Sequence, residues 1–143
     1  MIDGLIITPI RRIAIPKGDV RCLLKDGDPG FDGFGEAYCS SIEGLAVKAW
    51  KCHRRMTVNL VPIKGSTCLK VHDDRPDSTT RGETWSQILS PYLCRVTIPP
   101  ELWFGLQGIG TEENIVLNLA SLPHDDAECD ELPPESFGSP WYQ

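Results

Sequence analysis

The chain has 143 residues, a size that buries a single core, so we expect one domain over residues 1–143. Its 20 acidic residues outnumber 14 Lys and Arg, and the resulting net charge of −6 argues against broad nucleic-acid binding. The opening, MIDGLIITPI, lacks the features of a signal peptide, and no segment approaches the roughly 18 apolar residues of a membrane helix. We therefore expect a soluble, cytoplasmic protein that contacts neither membranes nor nucleic acid.

Short β-strands account for most of the chain. Prolines and glycines separate segments rich in Val, Ile, Leu and aromatic residues, and this pattern is typical of an all-β sandwich or barrel. The strands predicted in chain order cover residues 4–8, 10–15, 20–24, 34–42, 45–53, 56–63, 66–72, 83–89, 94–98 and 114–120. Polar loops are expected over residues 25–33 and 73–82, and a turn over Glu101–Gly105.

Six cysteines are spread along these strands, one in most of them, without a C-x-x-C pair. In a chain without a secretory signal, such cysteines are expected to be reduced and buried as small apolar residues.

The stretch Val47–Asn59 carries a local reversal of charge. Five cationic or titratable residues follow one another closely in this acidic chain: Lys48, Lys51, His53, Arg54 and Arg55. Trp50, Met56 and Val58 lie among them, which argues against a mobile tail. The cluster predicts a pocket for an anionic ligand, although a solvated positive face gives the same pattern.

Alternation along a regular strand assigns these side chains to two faces. Ala49, Lys51 and His53 are expected on one face, whereas Lys48, Trp50 and Cys52 are expected on the other.

Aromatic residues mark two further segments. Trp103 and Phe104 are expected either to cap the end of a barrel or to line a pocket where rings stack on a base or sugar. From residue 121 the chain is acidic and rich in proline. We expect a core of about 18–120 and a tail, 121–143, that packs on the barrel or on a partner subunit.

No metal or catalytic signature is recognisable from spacing. His53, His72 and His124 are scattered, and no H-x-H with a following carboxylate is present, so no metal is expected. A nucleophile elbow, a phosphate loop and a Rossmann fingerprint are also missing.

Five segments resemble one family. They are GDVR at Gly18–Arg21, VKAW at Val47–Trp50, HDDRPDSTTRGE at His72–Glu83, IPPELWFGLQG at Ile98–Gly108 and LNLASLPHD at Leu117–Asp125. In order and spacing they resemble the cupin family of dTDP-4-dehydrorhamnose 3,5-epimerases, especially a shorter branch. The resemblance implies a jelly-roll barrel, a homodimer, a nucleoside-diphosphate sugar in the barrel mouth and no cofactor.

The resemblance also implies roles for individual positions. In the family, a histidine removes protons next to a C4 ketone, a lysine steadies the enolate, a tyrosine returns protons and arginines hold the diphosphate. Arg21 and Lys48 match the positions of two such arginines. Lys51 occupies the position of the base, with His53 two residues later, and Phe104 replaces a histidine. The segment that carries the tyrosine, 117–123, contains none.

The resulting hypothesis is a nucleotide-sugar epimerase-like protein of surface-polysaccharide synthesis, which moves a proton next to the C4 ketone of a 4-keto-6-deoxy sugar nucleotide. Lys51 or His53 transfers the proton. The expected substrate-binding residues are Arg21, Lys48, Arg55, Asn59, Trp103 and Phe104. The alternative is a non-catalytic cupin that binds a nucleotide-sugar or a partner enzyme.

Overall fold

A computed structural model describes residues 1–143 as an almost entirely β protein. The strands are Ile6–Pro9 (β1), Arg11–Ile15 (β2), Gly18–Cys22 (β3), Glu36–Ile42 (β4), Val47–His53 (β5), Val58–Lys64 (β6), Ser66–His72 (β7), Thr84–Leu89 (β8), Cys94–Ile98 (β9), Trp103–Ile109 (β10), Asn114–Ala120 (β11) and Cys129–Glu131 (β12). A short 3₁₀ helix covers Asp126–Glu128. No helix has the length and apolar character needed to cross a membrane.

Two five-stranded sheets face each other. Sheet I has the strand order β1-β9-β6-β11-β4, and sheet II has the order β12-β5-β10-β7-β8. Neighbouring strands in both sheets are antiparallel. Apolar side chains from both sheets, including Leu60, Val71 and Val116, are buried between them in one core. The prediction of an all-β jelly-roll barrel is confirmed.

Strand β10 corrects the prediction of a turn over Glu101–Gly105. Trp103–Ile109 is a central strand of sheet II, paired with β5 on one side and β7 on the other. Pro99 and Pro100 break the strand pattern just before this segment, which is why a turn was predicted. Gly105 has a packing role in the strand: a Cβ there would lie 2.4 Å from the Cβ of Ala49. Glycine at this position therefore permits close approach between β10 and β5.

The core also begins earlier than residue 18. Strand β1 pairs with β9 and completes one edge of sheet I. Ile2 and Leu5, which precede β1, are buried in the core.

The tail covers the outer face of sheet II. Lys70 donates hydrogen bonds to Ser139 Oγ at 2.8 Å and to the carbonyl of Pro140 at 2.5 Å. Its Nζ also lies 4.9 Å from the centre of the Trp141 ring. The two hydrogen bonds and the contact with the Trp141 ring stabilise the buried ammonium group of Lys70 on this central strand. Buried Trp50 also contacts the tail, because it donates its indole N–H to the carbonyl of Pro134 at 3.0 Å.

All six cysteines are free thiols. Cys52, Cys68 and Cys94 are buried as expected, whereas Cys39 is exposed and two others are partly buried. Cys39 differs because β4 is an edge strand and its side chain faces away from the core.

Candidate functional site

A cavity of about 480 Å³ lies between the two sheets, beside the edge strands β4 and β12. Its walls are formed by Tyr38, Ser40, Lys48, Lys51, His53, Leu60, Phe104, Leu106, Val116, Asn118, His124, Asp126, Cys129, Asp130 and Glu131. No group of three or more His, Cys, Asp or Glu side chains is arranged to hold a metal ion. The cavity combines an apolar floor with a charged rim, a composition typical of ligand sites.

A bulge in β5 places Lys48 and Lys51 on the same wall. Phe104 pairs with Lys51 and Leu106 pairs with Lys48, so three steps along β5 match two steps along β10. The extra residue in β5 changes the side that Lys48 faces. The expectation that Lys48 points away from Lys51 and His53 is therefore wrong, because it assumed a regular strand.

His53 and Glu128 form a buried pair at the cavity. His53 Nδ1 is hydrogen-bonded to Glu128 Oε1, and the two side chains are only 9% and 4% exposed. Because Nδ1 is engaged, Nε2 is the ring nitrogen that remains for a ligand. The carboxylate fixes both the orientation and the tautomer of the imidazole.

The backbone holds Glu128 in its ionised form. Its Oε2 accepts hydrogen bonds from the backbone N–H groups of Arg55 and Met56, both at 3.1 Å. Burial by itself raises the pKa of Glu128, but the hydrogen bonds from His53 and from these N–H groups outweigh it and the pKa is lowered. Glu128 therefore faces His53 as a carboxylate at neutral pH.

Glu128 was not recognised from the sequence. It lies on the 3₁₀ helix of the tail, 75 residues after His53, and local spacing cannot pair residues so far apart. The one local signal is Asp125, a residue type that often precedes a helix. It caps the 3₁₀ helix that carries Glu128 by accepting a hydrogen bond from the Ala127 N–H.

Phe104 packs beside this pair. Its ring stacks on the His53 ring with centroids 6.0 Å apart and an angle of 24° between the planes. Both rings line the cavity, and Phe104 thereby restricts rotation of the imidazole. Trp103 does not line the cavity: it faces the outer side of sheet II, where its ring lies 5.8 Å from that of Phe137.

The opposite wall, on sheet I, carries two polar residues that the sequence did not suggest. Tyr38 on β4 and Asn118 on β11 are direct cross-strand partners. Asn118 Nδ2 donates a hydrogen bond to the Tyr38 hydroxyl at 2.7 Å. Only the pairing of two strands that are far apart in sequence reveals that they lie together.

Most charges at the rim are paired. Lys51 Nζ lies 3.8 Å from Glu131. Arg54 is bound to Asp130, and His124 Nε2 lies 2.7 Å from Asp126. Lys48 has no carboxylate partner, so it is the lining cation best placed to meet an anion.

Two other predicted anion contacts lie elsewhere in this chain. Arg21, on β3, binds Asp19 and covers the Tyr92 ring at 4.5 Å from its centre. Arg55 is exposed and lines no part of the cavity, because the chain turns away after β5. The structure therefore does not bring either guanidinium to this cavity.

Asn59 is buried, and its side-chain amide binds other parts of the protein. Its Nδ2 donates to the carbonyl of Gly30 at 3.1 Å, and its Oδ1 accepts from Thr97 at 2.6 Å. Both amide atoms thus bind the protein's own loop and β9, and Asn59 does not line the cavity. The expected sugar contact does not fit this placement, because Asn59 lies on the opposite side of β6 from the cavity-lining Leu60.

Known proteins of similar structure and sequence are sugar isomerases and epimerases. No protein-family model matches the sequence. A dTDP sugar isomerase from Desulfovibrio desulfuricans has a similar structure, with a TM-score of 0.88 and 29% identity over 99% of this chain and 91% of that chain. The resemblance to the dTDP-4-dehydrorhamnose 3,5-epimerase family is confirmed. The fold is accordingly that of the cupins in this family.

Two further proteins are similar to this chain. The probable low-salt glycan biosynthesis epimerase Agl13 of Haloferax volcanii is 31% identical over 97 residues, which are 66% of this chain and 62% of that protein. The match thus spans less than two thirds of the length of this curated relative. ChmJ, a 3'-monoepimerase from Streptomyces bikiniensis solved with dTDP-quinovose, has a TM-score of 0.87 at 15% identity, covering 98% of this chain and 76% of that chain, and shows the shared fold.

Proposed function

We propose that this protein is a sugar-nucleotide epimerase that moves a proton next to the C4 ketone of a 4-keto-6-deoxy sugar linked to a nucleoside diphosphate. The observation that carries the proposal is the buried His53–Glu128 pair in the wall of the cavity. The names of the similar proteins, a dTDP sugar isomerase and a glycan biosynthesis epimerase, support it. The second of these names also supports a role in glycan synthesis, in keeping with the expected role in surface-polysaccharide synthesis.

Proton removal is assigned to His53. A ketone acidifies the C–H bonds beside it, and a general base must lie within hydrogen-bond reach of that proton. His53 Nε2 can accept the proton because Glu128, at Nδ1, stabilises the imidazolium that forms.

Lysines on the same wall complement this step. When the proton leaves, negative charge develops on the ketone oxygen as an enolate, and a nearby cation lowers the barrier. Lys51 lies two positions from His53, is half exposed and sits 3.8 Å from Glu131, so we assign it to the enolate oxygen instead of the base. Lys48, which lacks a carboxylate partner, is assigned to the diphosphate.

Hydrogen exchange with solvent tests the proposed function. The protein is incubated in deuterated water with a 4-keto-6-deoxy sugar linked to dTDP, and the ring protons are followed by NMR. We expect loss of a proton signal at a carbon next to C4. The matched control is the corresponding sugar nucleotide with a hydroxyl at C4, which lacks the acidifying ketone and should not exchange.

The other outcomes separate the alternatives. Saturable binding of the sugar nucleotide without exchange would identify a non-catalytic cupin. If the protein shows no binding of the sugar nucleotide and no exchange of its protons, that result would contradict any role with these ligands.

We also propose that the protein is a homodimer joined through the hairpin formed by β2 and β3. This hairpin belongs to neither sheet. Ile13 and Val20 are cross-strand partners on one face of it and are 40% and 48% exposed, with Ile15 beside them at 47%. An exposed apolar stripe on a projecting hairpin is suited to burial against a second copy. Arg21 lies on the same hairpin, so its predicted contact with an anion would require the hairpin to lie near a partner's cavity.

Light scattering after gel filtration tests the dimer. Ile13→Asp places a charge in the apolar stripe and is expected to shift the protein to the mass of a monomer. Ile88→Asp, at a residue with similar exposure on β8, is the matched control and should remain dimeric. A monomeric wild-type protein, or a dimeric Ile13→Asp variant, would contradict the proposal.

The six free thiols support a reducing, cytoplasmic location, which we propose as well.

A further inference from the structure

The outer face of sheet II has a slot that receives the ring of Trp141. Gly105 on β10 faces this side, and a Cβ there would lie 3.0 Å from a carbon of the Trp141 ring. Lys70 on β7 is the cross-strand partner of Gly105, and its ammonium lies 4.9 Å from the centre of the same ring. The bare backbone of Gly105 and the charge of Lys70 thus form two sides of a site for one aromatic ring.

Gln107 holds the next residue of the chain by its backbone. Its Oε1 accepts the N–H of Tyr142 at 2.8 Å, and its Nε2 donates to the carbonyl of Tyr142 at 2.6 Å. Gln107 is only 1% exposed, so its amide is costly to leave without partners. Lys70 is also buried, and its ammonium donates to Ser139 and Pro140. Two buried polar side chains of central strands are therefore satisfied by the same C-terminal segment.

This segment, residues 132–142, is called the strap below, and it is also held where it begins. Leu132 exchanges two backbone hydrogen bonds with Trp50 on β5, at 2.7 and 3.1 Å. The carbonyl of Pro134 accepts the indole N–H groups of both Trp50 and Trp141, at 3.0 and 3.1 Å. Phe137 packs on three rings of sheet II, those of Trp50, His72 and Trp103. Loss of any one of these three rings leaves Phe137 with the other two.

Strand β12 joins the strap directly to the wall of the cavity. It has three residues, lies at the edge of sheet II and pairs only with β5. Its three residues line the cavity, and Glu128 immediately precedes them. A strand this short is marginal by itself, and the contact of Arg54 with Asp130 is half exposed and contributes little. The extensive contacts of the strap are therefore the main support for this wall.

We propose that Trp141 is a positioning residue of the candidate active site: it holds the strap on the outer face of sheet II, and the strap holds β12 and Glu128 in place beside His53. Trp141 itself lines no part of the cavity, so it acts only through the strap and β12. Without its ring, the strap and β12 open together more often, and His53 loses its carboxylate partner while they are open. The effect on the reaction rests on the proposed function, whereas the structural coupling does not.

Amide hydrogen exchange of a Trp141→Ala variant, followed by NMR, tests the coupling without any substrate. The backbone N–H groups of Arg55 and Met56 donate to Glu128 Oε2, so their protection reports whether Glu128 is in place. The N–H of Leu132 donates to the carbonyl of Trp50 and reports on the strap. We expect all three N–H groups to exchange at least about 10-fold faster than in wild type, because the ring no longer stabilises the closed state.

Tyr142→Ala is the matched control. It removes the neighbouring aromatic ring of the strap, which is 50% exposed, but it keeps both backbone hydrogen bonds to Gln107. The three N–H groups should exchange at wild-type rates in this variant. Trp141→Phe is a milder change, because a ring still fills the space over Gly105 while the indole N–H to Pro134 is lost. It should speed amide exchange less than Trp141→Ala does, and it serves as the test if Trp141→Ala does not fold.

The amide measurements can overturn the coupling directly. If the N–H of Leu132 exchanged faster while those of Arg55 and Met56 kept wild-type protection, the strap would open without moving Glu128. Wild-type protection of all three groups in Trp141→Ala would show that the ring does not hold the strap. Either result would overturn the proposal, whatever the protein does to sugar nucleotides.

The reaction gives a second readout that separates positioning from general stability. In deuterated water, kcat for hydrogen exchange next to the ketone should fall about fivefold in Trp141→Ala, a size typical of residues that act on a site from a distance. KM should change less, because Lys48, assigned to the diphosphate, lies on β5. A wild-type kcat together with faster amide exchange at Arg55 and Met56 would overturn the positioning role. If wild type itself showed no reaction, the proposed function would fail, and the amide measurements would still decide the coupling.

Discussion

Replacing His53 by Gln is expected to lower the rate of hydrogen exchange next to the ketone by about 1,000-fold, within the range that general bases contribute. Glutamine retains a polar side chain of similar size but cannot take up a proton. Lys51→Met should slow the reaction less, because Lys51 is assigned to stabilise the enolate oxygen and the base His53 remains in place. Exchange is measured by NMR in deuterated water with the 4-keto sugar nucleotide.

The control for this variant is His72→Gln. His72 is also a buried histidine of sheet II, but its ring stacks on Phe137 at 3.9 Å, on the outer side of the sheet. The His72→Gln variant should therefore exchange hydrogen at the wild-type rate. If Lys51→Met abolished exchange and His53→Gln retained it, the base would be Lys51 and the assignment to His53 would be wrong.

Replacing Asp73 by Asn is expected to lower the free energy of unfolding by about 3 kcal/mol, as for other broken buried ion pairs. The Asp73 side chain is fully buried and accepts from Arg75 Nε at 2.9 Å and Nη2 at 2.8 Å. Ser78 and Thr80 donate their hydroxyls to its Oδ2 at 2.5 and 2.6 Å. An amide cannot accept all four hydrogen bonds, and it leaves Arg75 without its counter-ion.

The same pair predicts the pH dependence of stability. The hydrogen bond from Arg75 holds the pKa of Asp73 well below its ordinary value of 3.8, and the hydroxyls of Ser78 and Thr80 add to this effect against the cost of burial. A carboxyl with a lowered folded-state pKa contributes its full stability above the unfolded-state pKa and loses it as the pH falls toward the folded-state value. The difference between wild type and Asp73→Asn should therefore be constant near about pH 7 and shrink near about pH 2.5.

Urea unfolding at both pH values measures this difference, with Asp74→Asn as the matched control. Asp74 is 57% exposed and lies 3.9 Å from Arg81, so its loss should cost less than about 1 kcal/mol. Equal stability of Asp73→Asn and wild type at neutral pH would contradict the role given to this carboxylate.

Local patterns in the sequence were sufficient to predict an all-β sandwich or barrel, and the resemblance to a known family supplied the jelly roll. Turn residues and alternation identified most strands of both sheets, and the basic segment led to the wall that carries Lys51 and His53. Strand β10 was missed because Pro99 and Pro100 break the strand pattern just before it. The face of Lys48 was wrong because the bulge depends on the partner strand and leaves no mark in β5 itself.

The partners of the site could not be predicted for a different reason. Glu128 meets His53 across 75 positions, and Tyr38 meets Asn118 across 80. Such contacts arise from the order of strands in the sheets, which a single sequence does not reveal. Asn59 shows the converse: a polar residue on a core strand suggested a ligand, but its amide binds Gly30 and Thr97.

A crystal structure of the His53→Gln variant with a bound 4-keto-6-deoxy sugar nucleotide tests the central claim most directly. The sugar should lie between β5 and β4, with a carbon next to C4 about 3–3.5 Å from the amide group of the introduced side chain, the separation expected for reacting atoms. The diphosphate should contact Lys48. A sugar nucleotide bound outside this cavity, or inside it with the ketone directed away from residue 53, would contradict the proposed chemistry.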